Sequence, residues 1–256
     1  IAVASKLKNV NRRNLLMVEI KKRIASKFPN FQYHELLLEV DALMFWREHE
    51  YNEALSLMPE IFDLNPNTNI VPKLLQIQHQ RLPKDTAYSL FTWIKKTNNL
   101  KRLNISNLGL DTLRPLAGLP LVFLDCSGND LSSLNGLEGM RLEMLSCQTN
   151  KISDLEPLRD MPLKNLNCQD NQIKNLDPLR GMPLKDLNCN WNQLSSIDIL
   201  KGMPLERLSI SNNKISILEP LRGMPLKMLD CGSNPVDSLD PIRGMSLEML
   251  NCAATP

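Results

Sequence analysis

Apolar residues recur in the second part of the chain with a fixed period of 21 residues. The first leucine of each repeat occupies eight evenly spaced positions: Leu100, Leu121, Leu142, Leu163, Leu184, Leu205, Leu226 and Leu247. A second leucine follows three residues later, and two residues beyond it stand Ile105, Cys126, Cys147, Cys168, Cys189, Ile210, Cys231 and Cys252. The residues between these apolar positions point the other way, which is the alternation of a short strand. The pattern predicts one strand per repeat, stacked in parallel into a continuous sheet.

The remainder of each repeat is equally regular. From the second repeat onward an asparagine ends each strand, and we expect its amide to bond the backbone of adjacent turns: Asn129, Asn150, Asn171, Asn192, Asn213 and Asn234. An acid, a proline and a leucine then follow, as in Asp177-Pro178-Leu179, and predict a short 3₁₀ turn on the convex side. A base three residues after each acid is expected to neutralise it, the alternative being a charged stripe for a ligand.

These residues match the pattern L-x-x-L-x-C-x-x-N-x-I-x-x-L-x-P-L-R-G-M-P, which resembles the leucine-rich repeat over about 60% of the chain. The resemblance implies an α+β repeat protein with a parallel sheet on the concave side and short 3₁₀ turns on the convex side. We expect a helical segment over residues 1–99, followed by a leucine-rich-repeat solenoid over residues 100–256 with eight strands and a truncated last repeat.

In the first hundred residues the apolar spacing becomes helical, and helices are expected at about 5–27, 33–48, 52–63, 70–80 and 86–97. One stretch, 33–66, resembles a tetratricopeptide repeat in the spacing of Leu38, Ala42, Phe45, Tyr51, Ala54, Met58, Ile61, Leu64 and Pro66. Residues 70–99 are expected to cover the exposed core of the first strand. The basic run from Lys6 to Lys27 is read either as the solvated face of an amphipathic helix or as a nucleic-acid or membrane-surface patch.

Composition narrows the functional classes. The 256 residues are 43% hydrophobic and carry a net charge of +2, which allows a buried core and does not indicate a nucleic-acid-binding protein. No stretch approaches the length of a spanning helix and no signal segment is seen, although a start at Ile1 leads us to expect a missing upstream part. Histidines at 34, 49 and 79 do not complete a zinc motif, and no catalytic motif is present. We therefore expect no enzyme activity, no cofactor and no metal from these residues.

The six cysteines all occupy the inward strand position that Ile105 and Ile210 fill in other repeats. Parallel neighbours in register are poorly placed for a disulfide, and no C-x-x-C pair begins a zinc site. The sequence therefore predicts buried free thiols, which fit a reducing compartment and leave localisation open.

The outward side chains of the sheet form the candidate binding surface, which is polar, rich in amides and nearly neutral. Such a surface suits a protein or peptide partner better than nucleic acid. The residues expected to bind a partner are Phe123, Met144, Asn167, Asn188, Asn190, Trp191, Arg207 and Asn212. Trp191 is either a binding anchor or a side chain packed over Asp170 and Asn212.

The sequence therefore predicts a non-catalytic protein-interaction module. Its short G-M-P-L repeats beside a helical segment resemble the sensor or regulatory part of bacterial receptor-like serine/threonine kinases. Two alternatives stay open. One is an internalin-like surface adhesin, because the acid-proline-leucine part of each repeat resembles internalin repeats. The other is nucleic-acid or membrane-surface binding through the basic first helix. The end of the solenoid at Leu247, Leu250 and Cys252 has no polar cap, so we also expect association through that edge at high concentration.

Overall fold

A computed structural model describes residues 34–47, 51–64, 70, 74–75, 82–96 and 100–253. The chain divides into two compact units, Ile1–Ile70 and Val71–Pro256. The division at residues 99 and 100, expected from the change of sequence pattern, remains a prediction about domain organisation. The predicted helix at 5–27 lies outside the described residues, as do most positions of the helix expected at 70–80.

The first unit contains three helices, α1 (His34–Arg47), α2 (Tyr51–Ser56) and α3 (Met58–Leu64). Its described core consists of small and large apolar side chains that are almost fully buried: Ala42, Trp46, Ala54, Met58, Ile61, Phe62 and Ile70. The rings of Trp46 and Tyr51 meet edge to face with their centroids 4.9 Å apart, which joins the end of α1 to the start of α2. The likeness of this segment to a tetratricopeptide repeat remains a prediction.

The single helix expected at 52–63 is wrong, because the chain breaks between α2 and α3 at Leu57. The cause is Pro59, which has no N–H to donate to the carbonyl of Leu55 and whose ring would clash with that carbonyl. The backbone turns instead through a 3.3 Å hydrogen bond from the Leu57 N–H to the Ala54 carbonyl. Helical hydrogen bonding begins again in α3 with the bond from the Ile61 N–H to the Leu57 carbonyl.

The second unit includes the amphipathic helix α4 (Lys84–Lys96), close to the expected 86–97. It buries residues at helical spacing, namely Ala87, Leu90, Phe91 and Ile94. The helix packs beside the first 3₁₀ turn of the repeats, and the Tyr88 hydroxyl donates a hydrogen bond to Asp111. Leu103 and Leu113 of the first coil are only 2% and 0% exposed, although this coil carries the first strand of the described residues.

Eight parallel strands of three residues follow in chain order: β1 (Arg102–Asn104), β2 (Phe123–Asp125), β3 (Met144–Ser146), β4 (Asn165–Asn167), β5 (Asp186–Asn188), β6 (Arg207–Ser209), β7 (Met228–Asp230) and β8 (Met249–Asn251). Each residue pairs with the residue 21 positions later, as Leu166 does with Leu187. Short 3₁₀ turns form the return leg at Arg114–Leu116, Glu156–Leu158, Asp177–Leu179, Asp198–Leu200, Glu219–Leu221 and Asp240–Ile242. The predicted solenoid is confirmed.

The asparagines hold neighbouring coils together as predicted. The Asn171 amide donates to the carbonyls of Cys147, Cys168 and Gln169 at 3.0–3.1 Å. Its Oδ1 accepts the Ile152 N–H from the preceding coil at 2.9 Å. The side chain thus satisfies backbone groups that would otherwise be buried without partners where each strand ends.

All six cysteines are free, and five of the thiols are buried as predicted; Cys252, in the coil of the last described strand, is half-buried, so the prediction is wrong for that residue. Cys126, Cys147, Cys168 and Cys189 lie in four consecutive coils. Burial raises the pKa of each of these thiols, that of Cys168 to about 12. They are therefore uncharged core groups that serve as small apolar side chains.

On the return leg the acids and bases neutralise each other. In one such pair, the Arg159 Nε lies 2.5 Å from the Glu156 Oε1. Pairs of the same kind join Asp177 to Arg180 and Glu219 to Arg222. This arrangement confirms the expectation of two compensating charge ladders.

Candidate functional site

The outward face of the sheet carries columns of side chains set by the strand register. One column contains the first residue of each strand: Arg102, Phe123, Met144, Asn165, Asp186, Arg207, Met228 and Met249. It changes along the solenoid from a base and two large apolar residues to polar residues and then to methionines. The same backbone scaffold therefore presents different chemistry at each end.

Two depressions lie on the first half of this face and share Phe123. One has a volume of about 320 Å³ and brings together four of the predicted binding residues, Phe123, Met144, Asn167 and Asn188. The other, of about 330 Å³, lies beside it and is lined by residues of β1 with Leu75. Met144 is 39% exposed, so apolar surface is available in the first of these depressions.

The predicted amides are held by hydrogen bonds within the surface. Asn167 donates to the side-chain oxygen of Gln148, and Asn188 donates to that of Gln169 at 3.1 Å. These glutamines stand one coil earlier and were not among the predicted contacts. The resulting network fixes the amide groups before any partner arrives, which lowers the entropy lost on binding.

Asn190 is the most constrained of the predicted residues. Its Nδ2 reaches across two coils to Asp230 at 3.1 Å, and its Oδ1 accepts the Ser211 N–H at 2.7 Å. Asp230 also accepts a 2.9 Å bond from Asn251. Asn190 is therefore a structural residue of the surface as much as a candidate contact.

Trp191 occupies a backbone position that tryptophan adopts at a cost. Its φ is 56°, in the left-handed region, where the equivalent residues of other coils are mainly glycine or small polar residues: Asn107, Gly128, Thr149, Asp170, Asn212 and Ser233. A bulky residue is rare there and strained by about 1–2 kcal/mol. Its side chain is nevertheless 58% exposed, so packing against the protein offsets only part of that strain. The role of Trp191 as a binding anchor stays a prediction, as does its packing over Asp170 and Asn212.

The two arginines of the face differ in their surroundings. Arg207 is held by Asp186, whose Oδ2 lies 2.8 Å from the arginine Nε. Arg102, an outward residue that was not among the predicted contacts, places its guanidinium carbon 4.1 Å from the centre of the Phe123 ring. Asn212, the last predicted contact, donates to the Ser211 hydroxyl at 3.3 Å.

Over the described ranges, no group of three or more histidine, cysteine or acidic side chains is placed to hold a metal ion. Within the same residues, no helix has both the length and the apolar character needed to cross a bilayer. The candidate site is therefore a surface of amides, apolar side chains and paired charges.

Comparison with known proteins places this fold. No protein-family model matches the chain, and no curated protein matches its sequence. Among solved structures, internalin C2 of Listeria monocytogenes is 28% identical with a TM-score of 0.57, over 61% of this chain and 71% of that one. Internalin InlF of the same organism is 21% identical with a TM-score of 0.59, over 70% of this chain and 62% of its own. A plant ice-binding protein is 21% identical with a TM-score of 0.54, over 62% of this chain and 58% of its own.

The chain thus has the fold of the leucine-rich repeat proteins, as its repeats predicted. Solenoids of this class present extended curved surfaces on which other proteins bind. The matches to InlF and to the ice-binding protein span about three fifths of those chains.

Proposed function

We propose that this protein is a non-catalytic interaction module that binds a protein or peptide segment on its concave sheet. The observation that carries the proposal is Trp191, a large side chain that is 58% exposed in a strained backbone conformation. It belongs to the same coil as Asn188, which lines the far end of the depression containing Phe123 and Met144. An exposed tryptophan close to a surface depression is typical of the residues that dominate binding energy at an interface.

The fixed amide network supports the same function. Because Asn167 and Asn188 already donate to neighbouring glutamines, a partner meets groups of defined position and not flexible side chains. The described surface has few unpaired charges, which favours a protein or peptide over nucleic acid. The basic first helix, on which the nucleic-acid alternative rests, lies outside the described residues.

An internalin-like adhesin is the second candidate, and the likeness to two internalin structures supports it as well as it supports the general module. The narrower role in a bacterial signalling protein, such as a serine/threonine kinase, rests on the resemblance of the repeats alone. The sequence of the complete gene separates the two, since a kinase domain favours signalling and a secretion signal with a wall anchor favours adhesion.

Selection of binding peptides on the full chain tests the proposal. Random peptides of about a dozen residues would be displayed, and the affinity of each selected peptide measured by fluorescence anisotropy. We expect Trp191→Asn and Met144→Asn to weaken binding at least tenfold, since they remove apolar contacts at the surface. Lys174→Gln is the control, because Lys174 is exposed on the return leg, outside the sheet.

Asparagine is suited to position 191 because Asn212 adopts a φ of 54° at the same place in the next coil. Circular dichroism would verify that the variants remain folded. Peptides that bind all four proteins equally would contradict a binding site on the concave face.

A further inference from the structure

We propose that the N-terminal end of the concave sheet recognises a carboxylate that lies close to a large apolar side chain in a segment of the partner protein. The carboxylate pairs with Arg102, and the apolar side chain packs on Phe123 and Met144. This inference rests on the proposed function, because it defines the partner's chemistry at that same surface.

Arg102 and Arg207 differ in their charged neighbours. Among the residues that the structure describes, no carboxylate lies within ion-pairing distance of its guanidinium, whereas Arg207 on the same face is paired with Asp186 at 2.8 Å. Two lysines just before the strands are also paired. The Lys164 Nζ lies 2.7 Å from a Glu143 carboxylate oxygen, and the Lys227 Nζ lies 2.8 Å from one of Glu206. The other arginine of this column is thus compensated by a carboxylate of the protein, whereas Arg102 is available to an external charge.

The position of the guanidinium is already set. It lies over the Phe123 ring at 4.1 Å, a contact that restrains the long side chain, and no hydrogen bond within the described residues occupies its N–H groups. Those N–H groups form a planar fork that matches the two oxygens of a carboxylate. Arg102 therefore needs little further ordering to bind an acidic group.

Apolar surface adjoins this cation. Phe123 lines both depressions, the one with Arg102 and the one with Met144. Met144 is 39% exposed, and a methionine adapts its shape to different apolar partners. A carboxylate on the arginine thus lies beside a place where a leucine, methionine or aromatic side chain can be buried.

The strand register sets the spacing of the two groups in the partner. Arg102 pairs with Phe123 and Phe123 with Met144 in successive strands. Parallel strands lie about 4.8 Å apart, so the first and third positions of this row are separated by about 10 Å. An extended peptide crossing the strands advances about 3.3 Å per residue, so the acid and the apolar residue lie within about three positions of each other.

Asp125 restricts where the acid can bind. Its carboxylate stands on the same face, one row further along the strands, and accepts bonds from the Ser127 hydroxyl and N–H at 2.6 and 3.0 Å. It repels a second carboxylate in that row and so directs the partner's acid to the row of Arg102. Neutralising Asp125 should therefore strengthen the binding of an acidic segment.

The peptide selection described above tests this inference with a second set of variants. We expect the selected sequences to be enriched in Asp or Glu within about three residues of a large apolar residue. Arg102→Gln should weaken their binding about tenfold and Asp125→Asn should strengthen it, while Lys174→Gln leaves it unchanged. A peptide whose acid is replaced by lysine should lose affinity for the unsubstituted chain and regain it on Arg102→Glu.

The outcomes separate this inference from the proposed function. Peptides that lose affinity on Trp191→Asn and Met144→Asn, but show no acid and no response to Arg102→Gln, would overturn the carboxylate site and leave the concave interface standing. Peptides indifferent to every concave variant, or a selection without any binder, would overturn both. Loss of affinity on Arg102→Gln without recovery in the charge exchange would show a packing role for Arg102 and would also refute the inference.

Discussion

The buried thiols predict that this protein loses stability steeply in mild alkali. Burial raises the pKa of the Cys168 thiol to about 12 and that of Cys231 to about 11, from an ordinary value of 9.0. The thiols of Cys126, Cys147 and Cys189 are fully buried and their pKa values are raised as well, with burial as the main cause. At pH 10 the native protein therefore keeps five thiols protonated, whereas the unfolded chain ionises them.

The sign and size of the effect follow from this difference in bound protons. Above pH 9 the unfolded state binds fewer protons than the native state, so the free energy of unfolding falls as the pH rises. One pKa unit corresponds to 1.36 kcal/mol, so each thiol contributes a loss of about 1.4 kcal/mol at pH 10. Five such thiols together remove about 7 kcal/mol, which is comparable with the whole stability of an ordinary domain.

Urea unfolding between pH 7 and pH 10, followed by far-ultraviolet circular dichroism in the presence of a reductant, measures this loss. A matched series replaces one, two, three and then four of the consecutive cysteines, Cys126, Cys147, Cys168 and Cys189, by alanine. We expect each replacement to reduce the pH-dependent loss by about 1.4 kcal/mol, because one titrating group is removed. A loss below 1 kcal/mol in the unsubstituted chain, or a full loss in the fourfold variant, would refute the role of the thiols.

Three further predictions follow from single residues. Asn171→Ala should lower the free energy of unfolding, measured by urea denaturation, by about 3 kcal/mol. It leaves the Ile152 N–H without an acceptor and removes the donor to three carbonyls. The control Gln172→Ala, at an exposed neighbour, should change this free energy little. Asp160→Gly should raise the melting temperature by one or two degrees, a gain of about 0.5 kcal/mol in the free energy of unfolding. The reason is that Asp160 has a φ of 64° where other coils carry glycine. The control Lys174→Gly, outside the left-handed region, should lower the melting temperature. Trp191→Asn should leave stability within about 1 kcal/mol, since relief of backbone strain offsets lost packing; a large loss by calorimetry would make Trp191 a structural residue.

The repeats made most of the solenoid predictable from sequence. Each coil repeats the same inward residues, so the strands, the 3₁₀ turns, the asparagines and the buried cysteines could be placed before any coordinates were known. The break between α2 and α3 was also readable, because Pro59 cannot take part in a continuous helix. There the apolar spacing favoured one helix and outweighed the local signal of the proline.

The chemistry of the concave face was less accessible. Which residues point outward follows from the period of a strand, but their hydrogen bonds depend on side-chain conformation and on the separation of coils. The bond from Asn190 to Asp230 joins residues 40 positions apart and skips the intervening coil, so no local sequence pattern predicts it. The strain at Trp191 did have a signal, since glycine, asparagine and aspartate recur at its position in other coils.

The bond between Asn190 and Asp230 also affects how the solenoid can deform. A stack of coils flexes by opening or closing the spacing along its inner wall, and most contacts between coils join immediate neighbours. A side-chain bond that spans the coil of β6 fastens three coils into one stiff block. Bending should therefore concentrate outside this block, towards the end that carries Arg102 and Phe123, where the wall can adjust its curvature to what it holds.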